Sequence, residues 1–353
     1  MQKFKDMIKT IDINEEPIIG KSILELETLL ISLDEKPFRG RQIFDWIYKK
    51  NIYDFSKMSD LPKNLREKLG SFKIHALEVI KDDESNSKKT RKFLFKLKTG
   101  EQIESVLMEE KNRTTICLST QVGCAVNCDF CATAKMGFIK NLTTGEIVDQ
   151  FLQLQEISRS RITNVVFMGM GEPFLNYKNT ISAADLLHNP KGLNMAAWRI
   201  TISTAGIINK IEKFTEEKQP YKLAISLNGS SQSQRLKTMP ITQNQNFSDL
   251  LKVAKNYAYN SRKKVTFEYV LLDGINDEPS DALKLVRILN STNCKLNLIP
   301  YNEIDGIYKR PNNDKIQNFL NNLNKAEFPV TIRWSNGQDI DAGCGQLATK
   351  IKS

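Results

Sequence analysis

CLSTQVGCAVNCDFC, residues 117–131, holds four of the six cysteines of the chain. Three of them, Cys124, Cys128 and Cys131, form a Cys-x-x-x-Cys-x-x-Cys array. Thiolates that lie so close together in a reduced chain favour a soft metal centre. A closed structural site usually takes four protein ligands, whereas three ligands leave a position on the metal open for chemistry. The array therefore indicates a reactive metal centre.

Two other interpretations of the array stay open at this point. The site could be a structural zinc site that borrows Cys117 as its fourth ligand, or the cysteines could be core residues that cluster by chance. Histidine does not complete the set locally, because the chain has only His75 and His188.

Length and composition describe an ordinary globular chain. Its 353 residues suffice for one large domain and a small one. A content of 40% hydrophobic and 26% charged residues is typical of soluble proteins. No apolar run approaches the ~18 residues of a membrane span, and residues 1–17 lack the apolar core of a signal peptide. We expect a cytoplasmic protein whose cysteines are reduced at rest, with no membrane partner.

The net charge of +10 is the one unusual bulk property. A positive surplus of this size suits a polyanionic partner such as RNA. Lysine-rich chains also carry basic solvated faces without any ligand, so charge alone does not decide between the two interpretations.

Residues 1–100 are predicted to form a separate accessory region. Two helices are expected first, in FRGRQIFDWIYKK (38–50) and in SDLPKNLREKLG (59–70), which starts with a capping residue and ends with glycine. Three strands follow, and Thr99-Gly100 forms the turn before the last of them. These strands are predicted at 75–81, 91–98 and 101–108. Such a basic module could contact nucleic acid or could be a solvated cap on the main domain.

Residues 101–353 are predicted to form an α/β core domain. Apolar strands alternate with amphipathic helices, which is typical of a parallel sheet with right-handed crossovers. The strands are expected at 114–119, 163–169, 199–204, 223–227, 264–272 and 295–301, and the helices at 143–158, 179–189, 207–216, 247–260, 279–291 and 314–326. Six such units, followed by a strand at 329–334, predict a partial (β/α)6 barrel, whose chemistry would lie at the C-terminal ends of its strands.

Several polar or glycine-rich segments fall at those strand ends. MGMGEP (168–173) follows the second strand, and its glycines and carboxylate suit close contact with a ligand that carries an ammonium group. Ser203, SLN (226–228) and IPYN (299–302) follow later strands. DIDAGCGQL (339–347) places a cysteine between glycines, and we expect this loop to be flexible.

The cysteine spacing and the barrel together resemble the radical S-adenosylmethionine (SAM) superfamily. The ordered series of segments, from FRGRQIFDWIYKK to DIDAGCGQL, resembles the RlmN family of dual-specificity RNA adenine-C2 methyltransferases within it. The resemblance implies methylation of adenine 2503 of 23S rRNA and adenine 37 of tRNA. It also implies a [4Fe–4S] cluster, two SAM molecules per turnover, an external electron donor and a monomeric protein.

The resemblance also implies the role of each matching residue. Cys124, Cys128 and Cys131 would hold the cluster. Cys344 would carry the methyl group and later form a disulfide with Cys117, the second catalytic cysteine. Glu104 would accept a proton. The SAM-binding positions would be Gly171, Glu172, Ser203, Ser226, Leu227, Asn228 and Asn302.

Two residues depart from the family pattern, and several matches have simpler interpretations. Asn228 stands where histidine is usual, which weakens its assignment, and Gly343 stands where alanine is common, which should loosen the loop. Glu104 could be the solvent face of its strand, while Cys117 and Cys294 could be core residues.

Two other functions stay open from the sequence. One is a C8-methylating resistance-type relative, although Pro173 and Pro300 favour the C2 group. The other is a non-enzymatic RNA-binding protein with a structural zinc ion. Iron content after anaerobic purification separates the second from both enzymes.

Overall fold

One ten-stranded mixed sheet carries the fold, and the computed structural model describes residues 17–304 and 306–349. The strands are β1 Leu77–Glu84, β2 Thr90–Leu97, β3 Gln102–Glu110, β4 Arg113–Cys117, β5 Gln121–Gly123, β6 Phe138–Asn141, β7 Asn164–Phe167, β8 Ile200–Thr204, β9 Lys222–Ser226, β10 Val265–Leu271, β11 Cys294–Pro300 and β12 Val330–Ile332. The order in the large sheet is β1-β2-β3-β4-β7-β8-β9-β10-β11-β12, while β5 and β6 form a separate hairpin.

The helices complete the alternation. They are α1 Ile23–Ser32, α2 Arg39–Tyr48, α3 Lys63–Leu69, α4 Ala132–Lys135, α5 Thr144–Ile157, α6 Tyr177–His188, α7 Ile208–Glu216, α8 Gln232–Thr238, α9 Phe247–Ser261, α10 Pro279–Leu289 and α11 Asn313–Asn322. From β4 to β12 every neighbouring pair in the large sheet is parallel. The predicted partial α/β barrel is confirmed, because buried apolar strands such as β10 need helices on their outer side.

The hairpin β1–β2 continues into the barrel sheet. β2 pairs antiparallel with β3, and β3 pairs antiparallel with β4. The domain boundary predicted at residue 100 therefore crosses a continuous sheet, and it stays a prediction. Helix α1, the β5–β6 hairpin and helix α8 were not expected from the sequence. The helix expected from residue 59 begins only at Lys63, because the preceding residue Pro62 disfavours helical backbone before it.

A buried carboxylate holds the N-terminal helices against the barrel. Asp149 on α5 is fully buried and accepts hydrogen bonds from the backbone N–H groups of Ala76 (2.7 Å) and Leu77 (2.9 Å). Its other oxygen lies 2.7 Å from Nδ1 of His75. Burial lowers the pKa of His75, but the hydrogen bond and charge of Asp149 raise it above its usual value overall. This contact fixes the segment that joins α3 to β1.

Among the described residues, no helix combines the length and apolar character that crossing a membrane requires. The segment expected to lack a signal peptide lies almost entirely outside the described residues, which begin at residue 17.

Candidate functional site

A cavity opens at the C-terminal ends of the parallel strands. It is lined by the loop after β5, by the C-terminal part of β10, and by residues at or just after the ends of β7, β8, β9, β11 and β12. The sequence-predicted site residues that line it are Cys124, Cys128, Cys131, Gly171, Glu172, Ser203, Ser226, Asn228, Asn302 and Cys344. Cys117, Glu104 and Leu227 are not among the residues that line it. Ten of the predicted site residues thus line one cavity, as expected if the polar strand ends meet at one face of the barrel.

The three cysteines of the array lie in the loop between β5 and α4. The backbone N–H of Cys124 donates to the carbonyl of Gly137 (2.9 Å), and that of Cys131 donates to the carbonyl of Cys128 (3.1 Å). Asn127 takes left-handed backbone (φ 55°), which turns the chain between the thiols. The three side chains belong to a small apolar cluster with Phe130 and Tyr301. The loop therefore holds three thiols against an apolar wall of the cavity.

The donor set fits a thiolate-bound cluster. Burial raises the pKa of Cys128 well above its usual value, and the charges of Cys131 and Cys124 raise it further. The three sulfurs are therefore close enough to interact, and bound iron would remove this mutual repulsion. Within the described ranges, no three His, Cys, Asp or Glu side chains are arranged to hold a single metal ion. An iron–sulfur cluster is polynuclear and is held by several thiolates, so its cysteines need not converge on a single metal ion.

Glu172 is a buried carboxylate in the cavity wall. Its Oε2 accepts from the backbone N–H of Ala205 (2.7 Å), and its Oε1 accepts from that of Phe174 (2.9 Å). Burial raises the pKa of Glu172 to about 7, although these hydrogen bonds oppose the shift. Within the described residues no Lys, Arg or His forms an ion pair with it. A ligand that carries an ammonium group would supply the missing positive charge.

Cys344 and Cys117 lie within range of each other's charge and of the Arg333 guanidinium. Arg333 and Cys344 both line the cavity, while Cys117 lies at the end of β4 and is 8% exposed. Cys344 is an exposed residue, yet the protein atoms packed around its thiol raise its pKa to about 11, and the Arg333 charge opposes this rise. Burial and the charge of Cys344 raise the pKa of Cys117 to about 12, and Arg333 again opposes the rise. Two thiols outside the array therefore share one cation.

Known proteins are similar to this chain over most of its length. The family model for the N-terminal domain of ribosomal RNA large subunit methyltransferases matches residues 18–74, and that of the radical SAM superfamily matches residues 118–286. The curated "Probable dual-specificity RNA methyltransferase RlmN" of Leptospira interrogans is 42% identical and covers 95% of this chain and 96% of its own length. The chain belongs to the RlmN family.

Other RlmN relatives agree with this membership. The protein of the same name from Aquifex aeolicus is 41% identical over 95% of this chain and 98% of its own. A dual-specificity RNA methyltransferase RlmN from Syntrophobacter fumaroxidans is 38% identical over 95% and 99%. Among solved structures, a radical SAM methyltransferase from Sphaerobacter thermophilus superposes with a TM-score of 0.91 at 38% identity, covering 94% of this chain and 98% of that one. The match spans both the N-terminal helices and the barrel.

The loop that carries Cys344 is held on both sides of this residue. Asn302 donates from Nδ2 to the carbonyl of Cys344 (3.0 Å), and the backbone N–H of Ala132 donates to the carbonyl of Gly345 (2.7 Å). A Cβ on Gly343 would lie 2.8 Å from the amide of Asn302. The loop is therefore held at two points in this conformation, and its expected flexibility stays a prediction. Glycine at 343 permits the close approach of Asn302, whose amide positions the Cys344 backbone.

Of the remaining residues predicted to bind SAM, Asn228 and Gly171 line the cavity, whereas Leu227 lies in the core. Asn228 has left-handed backbone (φ 51°), and its Oδ1 accepts from the backbone N–H of Val270 (2.8 Å). Its amide thus already joins two strand ends. Leu227 is fully buried in the main core. A Cβ on Gly171 (φ 97°) would lie 2.4 Å from Cβ of Gln121. Glycine at this position therefore lets the Gln121 side chain pack against the backbone, whether or not a ligand also approaches it.

Glu104 is buried, contrary to the interpretation as a solvent-facing residue. Its Oε1 lies 3.1 Å from Nζ of Lys92, and its Oε2 accepts from the backbone N–H of Ala348 (3.0 Å). Burial raises its pKa, and Lys92 opposes this. Ala348 follows the cysteine loop, so Glu104 anchors the segment directly after Cys344.

Sequence reasoning missed three charged residues of the site. Arg333 and Glu268 line the cavity, and Arg235 is fully buried beside it. Arg235 donates from Nε to the carbonyl of Leu227 (3.1 Å) and from Nη2 to that of Ala205. A single charged residue inside an apolar strand, such as Glu268 in VTFEYVL, was the available signal.

Proposed function

We propose that this chain methylates C2 of adenine in two RNAs, at adenine 2503 of 23S rRNA and adenine 37 of tRNA. The observation that carries the proposal is the meeting of two non-array cysteines, Cys344 and Cys117, with the thiol triad at one end of the barrel. The names of the RlmN relatives support RNA as the substrate and two RNAs as targets.

Cys124, Cys128 and Cys131 hold the [4Fe–4S] cluster in this proposal, and Glu172 binds the ammonium group of SAM. Ser203, Ser226 and Asn302 complete the SAM site from neighbouring strand ends. When bound, the cluster and SAM supply a methyl group and, after one-electron reduction by an external donor, a 5′-deoxyadenosyl radical. Two SAM molecules are consumed per turnover. The chain's own task is to place Cys344 where both forms of SAM chemistry reach it.

Cys344 acts first as a nucleophile. Its thiolate takes the methyl group, and Arg333 favours that thiolate by its positive charge. Adenine C2 is an electron-poor carbon and a poor nucleophile, so direct transfer is unfavourable. Transfer of a hydrogen atom from the Cys344 S-methyl group to the 5′-deoxyadenosyl radical would form 5′-deoxyadenosine and leave a carbon radical on Cys344, which would add to C2. The RNA is then joined to Cys344 through a methylene bridge.

Cys117 resolves this adduct. The C2 proton leaves to Glu104 or to Cys117 itself, and the unpaired electron of the adduct would return to the oxidised cluster, so that the aromatic ring is restored. The Cys117 thiolate attacks the Cys344 sulfur, and the bond from that sulfur to the methylene carbon breaks. The methylene carbon keeps the electron pair and takes up a proton, and methylated RNA is released. The product on the protein is a Cys117–Cys344 disulfide, which an external reductant returns to two thiols. Arg333, which lies near both thiols, stabilises each thiolate in turn.

The substrate must present adenine C2 outside a paired helix, because C2 faces the minor groove in a base pair. Loop adenines meet this condition at low unstacking cost. Phosphate contacts from the +10 net charge supply affinity. We expect a monomer that works in the cytoplasm, where both RNAs are located.

Mass spectrometry of nucleosides tests the proposal. Anaerobically reconstituted protein is incubated with SAM, an electron donor, and 23S rRNA or tRNA, and the digested RNA is analysed. We expect 2-methyladenosine from both RNAs. Formation of 8-methyladenosine instead would identify a C8-methylating relative, and a colourless zinc-containing protein that leaves both RNAs unmodified would identify a binding module.

A further inference from the structure

Four cations meet at the end of the barrel opposite the catalytic cavity. Arg113 and Lys222 begin β4 and β9, Lys295 lies near the start of β11, and Arg199 precedes β8. Because these strands are parallel, their first residues meet at one edge. We call these four residues the lower cation group.

Three members of the lower cation group face the axis of the barrel. Arg113 shares a strand face with Cys117, Lys222 shares one with Ser226, and Lys295 shares one with Ile299, since side chains alternate along a strand. Ser226 and Ile299 line the catalytic cavity. Three of the four cations therefore point inward at the other mouth of the same barrel.

No direct ion pair neutralises the lower cation group among the described residues, although the charge of Lys295 opposes the rise that burial causes in the pKa of Glu268. Within residues 17–304 and 306–349, none of the four forms an ion pair with Asp or Glu; even Glu110, opposite Arg113 in the sheet, does not. Partial burial lowers the pKa of Lys222, and the charges of Lys295, Arg113 and Arg199 lower it further. Like charges held so close together are unfavourable unless an anion is bound.

An exposed aromatic ring lies beside the group. Trp198 is 57% exposed, with the Arg199 guanidinium 4.3 Å and the Lys222 ammonium 5.6 Å from its ring centre. A cavity of about 820 Å³ adjoins it, lined by Arg199 and by the exposed Arg161. Cations for phosphates next to an exposed aromatic ring for a base are the elements of single-stranded nucleic acid recognition.

We propose that the lower cation group and Trp198 form a second RNA-binding surface, which contacts the phosphate backbone and an unpaired base of substrate RNA away from the reacting adenine. The proposal rests on the proposed function. The two mouths are separated by strands of about 20 Å, so only an RNA large enough to bend around the barrel reaches both. A long rRNA satisfies this condition, and an isolated anticodon stem-loop does not.

Binding of a long 23S rRNA transcript tests the surface. The double variant Lys222→Ala/Lys295→Ala should bind about tenfold more weakly, and the slope of log K against log salt should fall by about 1.5, because two phosphate contacts are lost. The matched control Lys252→Ala/Lys255→Ala removes the same charge from the outer helix α9 and should bind like the wild type. RNA should also quench tryptophan emission in the wild type more than in Trp198→Phe.

The anticodon stem-loop separates this inference from the proposed function. Both double variants should methylate that short RNA at the wild-type rate, because the catalytic mouth is unchanged. Equal affinity and equal salt slope of the two double variants for the long transcript would overturn the surface and leave the proposed function standing. A wild-type protein that neither binds nor methylates RNA would overturn both.

Discussion

The two ends of the parallel sheet carry opposite chemistry on the same strands. At the C-terminal end lie thiols and buried carboxylates, among them Cys128 and Glu172, whose pKa values burial raises. At the N-terminal end lie exposed or half-buried cations and Trp198. Lys222 and Ser226 lie at the two ends of the same strand, β9. The barrel therefore places its thiols and buried carboxylates at one end and, at the other, cations that gain by meeting an anion at the surface.

The largest expected effect concerns the thiol triad. Cys124→Ala, Cys128→Ala or Cys131→Ala should each abolish the iron chromophore and all SAM cleavage, because two thiolates hold the cluster too weakly. Iron analysis and visible absorption after anaerobic reconstitution measure this directly.

Cys294→Ala provides the matched control for the triad. Cys294 is a buried thiol at the start of β11, far along the strand from the cavity, and it should keep the cluster. The Lys222→Ala/Lys295→Ala variant should keep it as well. Normal deoxyadenosine production in any triad variant would show that the three cysteines at the C-terminal end of the barrel do not hold the cluster.

A smaller effect is expected for the cation shared by the catalytic thiols. Arg333→Met should raise the pKa of Cys344, so that methylation of Cys344 at neutral pH falls about tenfold, the equivalent of one pKa unit. The loss should shrink as the pH rises toward the pKa of the thiol, because more thiolate then forms in either protein. Intact-protein mass spectrometry across pH measures the loading rate.

Arg333→Lys sharpens that result. It keeps the charge and should restore most of the loading, whereas a purely structural role of the guanidinium would leave both variants equally slow at every pH. A pH profile that does not change in Arg333→Met would show that the cation does not act on Cys344.

The sequence predicts the barrel and much of its catalytic face because both depend on local patterns. Apolar strands, amphipathic helices and the cysteine spacing are each read within about twenty residues. Strand ends of a parallel sheet then meet without further information, which is why Glu172, Ser226 and Asn302 fall in one cavity. The fold class follows from these patterns, whereas the individual site residues were predicted from the resemblance to the RlmN family, and ten of them line this cavity.

Contacts between distant residues could not be predicted in this way. Glu104 binds the backbone of Ala348, 244 residues away, and this partner decides that the carboxylate is buried rather than solvent-facing. Asn302 likewise holds the Cys344 loop that composition alone suggested to be loose. Gly171 was assigned to a ligand, but the atoms next to it belong to Gln121. Contacts that form only in the tertiary fold leave no signal in the local sequence.

The central claim is that Cys344 carries the methyl group and Cys117 releases the product. Cys117→Ala should still load Cys344 and attack RNA, but it should then stall with RNA bound through a methylene bridge. Cys344→Ala should form neither methylated RNA nor a covalent complex, and the double variant should behave like Cys344→Ala.

A denaturing gel of each variant after reaction with substrate RNA and SAM tests this most directly. We expect a slowly migrating, nuclease-sensitive protein band in Cys117→Ala and in neither of the other two. Trapping in Cys344→Ala instead would reverse the two roles. Methylation of adenine by both single variants without any trapped band would contradict the two-cysteine mechanism for this protein.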